Sequence, residues 1–159
     1  MKSNNQANSI KVAPRRIERT RRRERPEVTP AVLRIVIPYT TPELTLAALR
    51  HAGVCSDLNV HVSLVDVQVV PYPCPIDQPP INREYSSSRL RELFKESGLP
   101  GRAEVVYTRD LLEGFKRALE PGSLVIIAAR RRWWPTREER LARELLAAGH
   151  QVMLLPITR

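Results

Sequence analysis

SLVIIAARRRWWP, residues 123–135, is the stretch of this sequence that decides the fold. Its apolar part, residues 124–129, has the length of a strand and no polar face, which is typical of a strand buried on both sides in a parallel sheet. Open α/β sheets bind their ligands at the carboxyl ends of such strands. At that end the sequence carries three arginines and two tryptophans, Arg130, Arg131, Arg132, Trp133 and Trp134. We therefore expect any ligand site to include them.

The rest of the chain alternates apolar runs with segments of helical periodicity. Five strands are predicted, at residues 32–38, 59–70, 103–107, 124–129 and 151–157. Four helices are predicted between them, beginning at Thr41, around residues 86–88, at Asp110, and at the capping box of Thr136 and Glu139. This alternation favours a three-layer α/β/α, Rossmann-like fold with a five-stranded parallel sheet and right-handed crossovers.

A strand order of 3-2-1-4-5 is the topology we expect for this alternation. It would place the switch point of the sheet between the first and fourth strands. Thr40 and Thr41, which follow the first strand, would then face the same crevice as residues 130–134. In the last helix, Leu141, Leu145 and Leu146 are predicted to form the inner face.

The positive charge of the chain is concentrated near its amino terminus. The 159 residues carry a formal net charge of +9, and residues 1–28 hold nine lysines or arginines against three glutamates, which leaves +6 there. Residues 1–30 are polar, so we predict a disordered basic tail followed by one domain at residues 31–159. Such a tail either binds a polyanion, such as nucleic acid or an anionic membrane surface, or is a solvated extension.

Several functional classes are not indicated by the sequence. A membrane-spanning helix needs about 18 consecutive apolar residues, and no apolar run approaches that length. The first residues are not followed by the apolar segment that is typical of a secretory signal. Cys55 and Cys74 lie in different segments without a CxxC motif, which predicts free thiols and a cytoplasmic protein. No activated nucleophile, paired carboxylates or metal-ligand spacing is evident, so we predict a protein that is not an enzyme.

Four segments, in their order and spacing, resemble the universal stress protein family. They are IVIPYTTPELTLAALRHA (residues 35–52), YTRDLLEGFKRAL (107–119), LVIIAARRRWW (124–134) and QVMLLPI (151–157). The resemblance implies a fold like that of the adenine nucleotide alpha hydrolases and a non-catalytic binding module for stress response or regulation. It also implies a homodimer that pairs through the last strand, whose apolar edge must be covered.

The same resemblance indicates that the usual mode of ATP binding is lost. Nucleotide-binding members carry a G-x-x-G turn, whose glycines let main-chain N–H groups approach phosphates, and a later Gly-Ser or Gly-Thr pair. The matching positions here are Ala128, Arg131, Leu141 and Ala142, and Thr40 stands where an acidic residue is expected. No cofactor is therefore predicted, and ATP is disfavoured as a ligand.

Three alternatives remain open for residues 130–134. The arginines can hold an anion by their side chains while the tryptophans stack a base, which would make the protein a nucleotide or polyanion binder together with its tail. The same residue types are enriched at interfaces with protein partners. In a purely structural role, one tryptophan would pack over the helix and the arginines would be solvated.

Overall fold

The computed structural model describes residues 32–54 and 59–158. The predicted tail, residues 1–30, and Cys55 lie outside the described residues. The described chain consists of β1 (Leu33–Pro38), α1 (Pro42–Val54), β2 (Val60–Val69), α2 (Arg83–Ser97), β3 (Arg102–Thr108), α3 (Leu111–Ala118), β4 (Leu124–Arg130), α4 (Arg137–Ala147) and β5 (Gln151–Ile157).

The five strands form one parallel sheet in the order β3-β2-β1-β4-β5, so the predicted fold class and strand order are both confirmed. β1 lies in the middle, with Ile35 opposite Val62 of β2 and opposite Leu124 of β4. Because all strands run in the same direction, their carboxyl ends lie together at one end of the sheet.

Apolar cores cover both faces of the sheet. Alternate residues of β1 divide between them: Ile35 and Ile37 pack against α1 and α2, whereas Val36 packs against α3 and α4. The helices that follow β1 and β4 thus lie on opposite faces of the sheet. The switch point of the fold therefore falls between these two strands, as the sequence predicted.

The helix starts follow from hydrogen bonds of polar side chains. Leu44 N–H donates to Thr41 Oγ1, and Glu113 N–H donates to Asp110 Oδ1, so both predicted caps are present. At α4 the predicted capping box between Thr136 and Glu139 is complete. The predicted start of α2 near residue 86 is three residues late, because Asn82 Oδ1 accepts from Glu84 N–H and begins the helix at Arg83.

One prediction for the core was wrong. Leu146 is 53% exposed, and the buried residues of α4 are Leu141, Ala142 and Leu145. Leu141 and Leu145 are four positions apart and lie on the same side of the helix. Ala142 lies beside them on this buried side, where Leu146 was expected. The small Ala142 side chain lets α4 lie close to the sheet.

β5 is an edge strand with exposed apolar side chains. Met153 is 40% and Leu154 is 41% exposed. Arg131 N–H donates to Ile157 O, so the main-chain groups of Ile157 point towards β4. Because these groups alternate along a strand, Val152 and Leu154 point theirs towards the open edge. Pro156 also points to that edge, where it has no N–H to offer.

The proline-rich connector between β2 and α2 is fastened by one arginine. Arg109 donates to the carbonyl oxygens of Val70, Pro71 and Cys74 at 2.8–3.0 Å, and its guanidinium lies 4.0 Å from the centre of the Tyr72 ring. These bonds satisfy carbonyls in a segment that makes no sheet ladder. Cys74 is half-buried there, and it forms no disulfide within the described part of the chain.

Candidate functional site

A crevice opens at the carboxyl ends of β1 and β4, where α1 and α4 diverge to opposite faces of the sheet. Its volume is ≈ 640 Å³. Thr41 and Leu44 at the start of α1 line one side, and the loop after β4 with the first turn of α4 lines the other. We call residues 130–135 the Arg/Trp loop. Most of this loop, together with Arg137 and Glu138, forms the wall and the rim of the crevice.

The arginines of the loop are exposed and little neutralised. Arg130 Nη2 lies 3.7 Å from Glu43 Oε2, a loose and solvated pair. Arg131 and Arg132 are exposed, and neither forms an ion pair with any residue of 32–54 or 59–158. The loop therefore presents guanidinium groups that an incoming anion can engage without displacing a strong protein partner.

Both tryptophans point into solvent. Trp133 is 88% exposed and Trp134 is 67% exposed. Their ring centres are 4.9 Å apart, and the ring planes meet at 62°, an edge-to-face arrangement. Neither ring is buried against a helix, as the purely structural alternative required of one tryptophan, whereas Arg131 and Arg132 are exposed as that alternative expected. Adjacent exposed aromatic side chains of this kind are a common feature of interaction surfaces.

Several main-chain N–H groups around the crevice already have acceptors. Arg131 N–H, at the position of the second family glycine, lies 3.4 Å from Ile157 O and donates to it. At α4, Glu139 N–H donates to Thr136 Oγ1 at 3.2 Å, and Thr136 N–H donates to a Glu139 carboxylate oxygen at 3.0 Å. The carboxylate of Glu139 therefore occupies the end of α4 that would otherwise attract a phosphate.

The start of α1 is satisfied in the same way. Thr40 N–H donates to Thr45 Oγ1, and Leu44 N–H donates to Thr41 Oγ1, both at 3.3 Å. Glu43 adds a carboxylate to this first turn. The full positive charges on the crevice wall are those of the arginine side chains, Arg130, Arg132 and Arg137.

A second, more enclosed cavity of ≈ 380 Å³ adjoins the crevice. It shares Thr41, Arg137 and Glu138 with the crevice. It extends to Tyr39, which follows β1, and to Asp66 inside β2. Desolvation by burial raises the pKa of the Tyr39 phenol, an effect that the nearby Arg89 charge opposes. This cavity therefore has a neutral phenol on its wall.

Asp66 is a buried carboxylate, only 5% exposed, and it has two donors. Gln68 Nε2 lies 2.8 Å from its Oδ2, and Arg89 Nη2 lies 3.3 Å from the same atom. Gln68 Nε2 also donates to Ser86 Oγ, which ties α2 to β2. The buried charge is therefore paired and hydrogen-bonded, as burial requires.

Comparison with known proteins agrees with this architecture. No family model matches the sequence, and no curated protein matches it. A universal stress protein from Archaeoglobus fulgidus has a similar structure, with a TM-score of 0.54, 14% identity and coverage of 77% of this chain and 92% of that one. A protein of the universal stress protein family from Burkholderia pseudomallei has a TM-score of 0.53, 19% identity and coverage of 78% and 96%.

The chain has the universal stress protein fold. The resemblance noted in the sequence is thereby confirmed at the level of the fold. In this universal stress protein fold the Arg/Trp loop follows the fourth strand, where the sequence resemblance placed the family's phosphate loop.

The structure brings most of the predicted site residues together. Thr41, Arg130, Arg132, Trp133 and Trp134 line the crevice. Thr40 lines the adjoining 380 Å³ cavity instead, and Arg131 lines a third cavity of ≈ 330 Å³ that extends to Ile157 and Thr158. Ala128 is 3% exposed, and its side chain belongs to the core beneath the site.

Sequence analysis missed several residues of this region. Arg137 adds a third guanidinium to the crevice from the first turn of α4, directly after the cap residue Thr136. Asp66 lies inside the predicted second strand, residues 59–70, and was given no role there. Arg89, its partner, lies 23 positions later, and no local pattern connects the two. Within the described residues, no cluster of His, Cys, Asp or Glu is arranged to hold a metal ion, and no helix is long and apolar enough to cross a membrane.

Proposed function

We propose that this chain is a non-catalytic binding module built on the universal stress protein fold, acting in stress response or regulation. Its ligand would be anionic and would carry a flat ring, and it would bind to side chains of the Arg/Trp loop instead of the main chain. The observation that carries the proposal is the crevice itself, with exposed guanidinium and indole groups on its wall.

The state of the main chain supports a side-chain mode. A phosphate cradle needs several main-chain N–H groups that converge on one point and have no other acceptor. Here Arg131 N–H donates to Ile157 O, and the first turn of α4 is closed by the carboxylate of Glu139. An anion at the usual position would compete with both acceptors.

The groups on the crevice wall support binding without catalysis. Its hydroxyl groups belong to Thr41 and Thr136, and both accept hydrogen bonds that begin helices. Its carboxylate belongs to Glu138, in the same turn as the exposed Arg137. Arginine and tryptophan bind and orient ligands well, but neither activates a nucleophile at neutral pH.

ATP tests the proposal, because it is anionic and carries a flat base. We expect ATP to quench the fluorescence of Trp133 and Trp134, with an affinity that falls as salt is added. No phosphate should be released over time. Absence of quenching at millimolar ATP and low salt would contradict the proposal, as would steady ATP hydrolysis.

Arg131→Gly separates the two modes of binding. If a side chain holds the anion, the variant binds ATP about 3- to 10-fold more weakly, since one charged hydrogen bond is lost. If the main chain holds it, the variant binds more tightly, because glycine opens the approach to the N–H groups. Arg102→Gln is the matched control: Arg102 is exposed at the amino end of β3, far from the crevice.

We further propose that two copies pair through β5. Support comes from the exposed side chains of Met153 and Leu154 and from the main-chain groups of Val152 and Leu154, which face the outer edge of the described sheet. An apolar open edge of this kind favours pairing with another strand. The protein would be cytoplasmic, consistent with the free-thiol prediction for its cysteines.

A further inference from the structure

We infer that the ligand of the Arg/Trp loop is a single-stranded polynucleotide. The inference rests on the proposed function, since it names the class of anionic ligand that the same loop would bind. Three features carry it: the angle between the two indoles, the pair of cavities that share arginines, and the excess of positive charge along them.

Trp133 and Trp134 are two stacking surfaces that face in different directions. Because their planes meet at 62° with centres 4.9 Å apart, one flat group cannot stack on both rings. Successive bases of a single strand turn freely about the backbone, so each can stack on one ring. A mononucleotide has one base and would leave one exposed indole unused.

Two cavities beside the loop share two arginines. Arg130 and Arg132 line the ≈ 640 Å³ crevice and also the ≈ 330 Å³ cavity that extends to Ile157 and Thr158. Arg131 lines the smaller cavity. A ligand with repeating phosphates can place one phosphate in each of these cavities. A ligand with one phosphate cluster would fill only one of them.

The charge along this surface favours a polyanion. Four arginines line the two cavities together, Arg130, Arg131, Arg132 and Arg137, against two glutamates, Glu43 and Glu138. An acidic peptide would satisfy the charge but offers no succession of flat rings to two angled indoles. Duplex nucleic acid would satisfy the charge but keeps its bases stacked inside the helix.

Fluorescence anisotropy with the full chain tests the inference. The probes are fluorescein-labelled oligothymidine and oligouridine strands of about 15 nucleotides, within the site sizes of known single-strand binders. A labelled trinucleotide, the corresponding duplex and ATP complete the set. We expect the longer strands to bind at least tenfold more tightly than the trinucleotide, and the duplex to bind more weakly than either long strand.

Variants at the loop assign the contacts. Trp133→Ala and Trp134→Ala should each weaken strand binding about 5- to 100-fold, the range for loss of one stacked base, while Trp133→Phe should keep most of the affinity. Replacing Arg131 and Arg132 by glutamine should make the dependence of log K, the association constant, on log salt concentration less steep. The negative slope should shrink in magnitude by about 1.4, as expected for two lost phosphate contacts. Tyr72→Ala is the control, because Tyr72 is an equally exposed aromatic residue on the connector.

The outcomes separate the inference from the function on which it rests. Tight, length-dependent binding that needs both tryptophans supports it, and a preference for oligouridine or oligothymidine identifies the natural strand. Equal binding of duplex and single strand, or no loss in either tryptophan variant, overturns it. If ATP binds but the long strands bind no better than the trinucleotide, the inference fails and the proposed function stands. If neither ATP nor any strand binds, both fail.

Discussion

Arg89 Nη2 lies 3.3 Å from Asp66 Oδ2, and this ion pair joins helix α2 to a buried carboxylate of strand β2. Asp66 is nearly fully buried in β2, whereas the Arg89 side chain is about one-third exposed at 34%. The same guanidinium lies 4.3 Å from the centre of the Tyr39 ring. One arginine thus pairs the buried charge and covers the phenol at the end of β1.

Removal of this arginine should destabilise the protein. Arg89→Met leaves Asp66 buried with Gln68 as its remaining donor, and we expect the free energy of unfolding to fall by about 1–3 kcal/mol. Urea unfolding followed by circular dichroism measures it. Arg91→Met, on the exposed side of the same helix, should change the value by less than about 0.5 kcal/mol. Equal effects of the two variants would show that the pair contributes nothing specific.

Tyr39 should ionise at higher pH than an ordinary tyrosine, because burial raises its pKa. The folded state then keeps the phenolic proton more firmly than the unfolded state does. The resulting stability is present below the ordinary tyrosine pKa and is lost as the pH rises through the higher value in the folded protein. Phenolate absorbance against pH measures the shift, and Tyr39→Phe should remove a titration step that lies above the ordinary tyrosine pKa. A titration curve that keeps this step in Tyr39→Phe would contradict the assignment.

Neutralising Glu139 should strengthen anion binding at the crevice. Glu139→Gln keeps a side chain that can accept from Thr136 N–H but removes a negative charge beside the Arg/Trp loop. We expect about two- to fivefold tighter binding of ATP at low salt and little change at high salt. Glu144→Gln, in the last turn of the same helix, is the control and should leave the affinity unchanged. Weaker binding in Glu139→Gln would mean that the capping box itself positions the loop.

The state of assembly should depend on the exposed edge of β5. We expect a dimer in sedimentation at micromolar concentration, and a monomer for Leu154→Lys, since charge at an edge opposes pairing. Leu146→Lys, on the outward face of α4, tests whether the helix takes part in the contact. A wild-type protein that stays monomeric throughout the micromolar range would contradict pairing through β5.

Most of the architecture could be predicted because its signals are local. The apolar run at residues 124–129 marks a buried strand. Thr136 and Glu139, three residues apart, mark the start of a helix through their hydroxyl and carboxylate groups. The alternation of strands and helices then restricts the sheet to few topologies. Leu146 was misassigned because an alanine, Ala142, takes the inner position that a leucine was expected to fill.

The site was only partly predictable because its remaining parts come from distant segments. Arg137 follows the cap residue and looked like an ordinary surface charge until the loop brought it to the crevice. The pairing of Asp66 with Arg89 depends on how α2 crosses β2, which no short motif encodes. Whether Trp133 is packed or exposed depends on the path of the loop, and sequence alone left both possibilities open.

Pro156 limits how far the sheet can grow. A strand added at the edge of β5 finds acceptors and donors at Val152 and Leu154, but the next outward position has no N–H. The hydrogen-bond ladder between β5 and an added strand therefore ends within a few residues. A ladder this short does not support the continuous addition of further chains. Concentrated solutions should accordingly contain discrete particles, and they should not thicken into fibres.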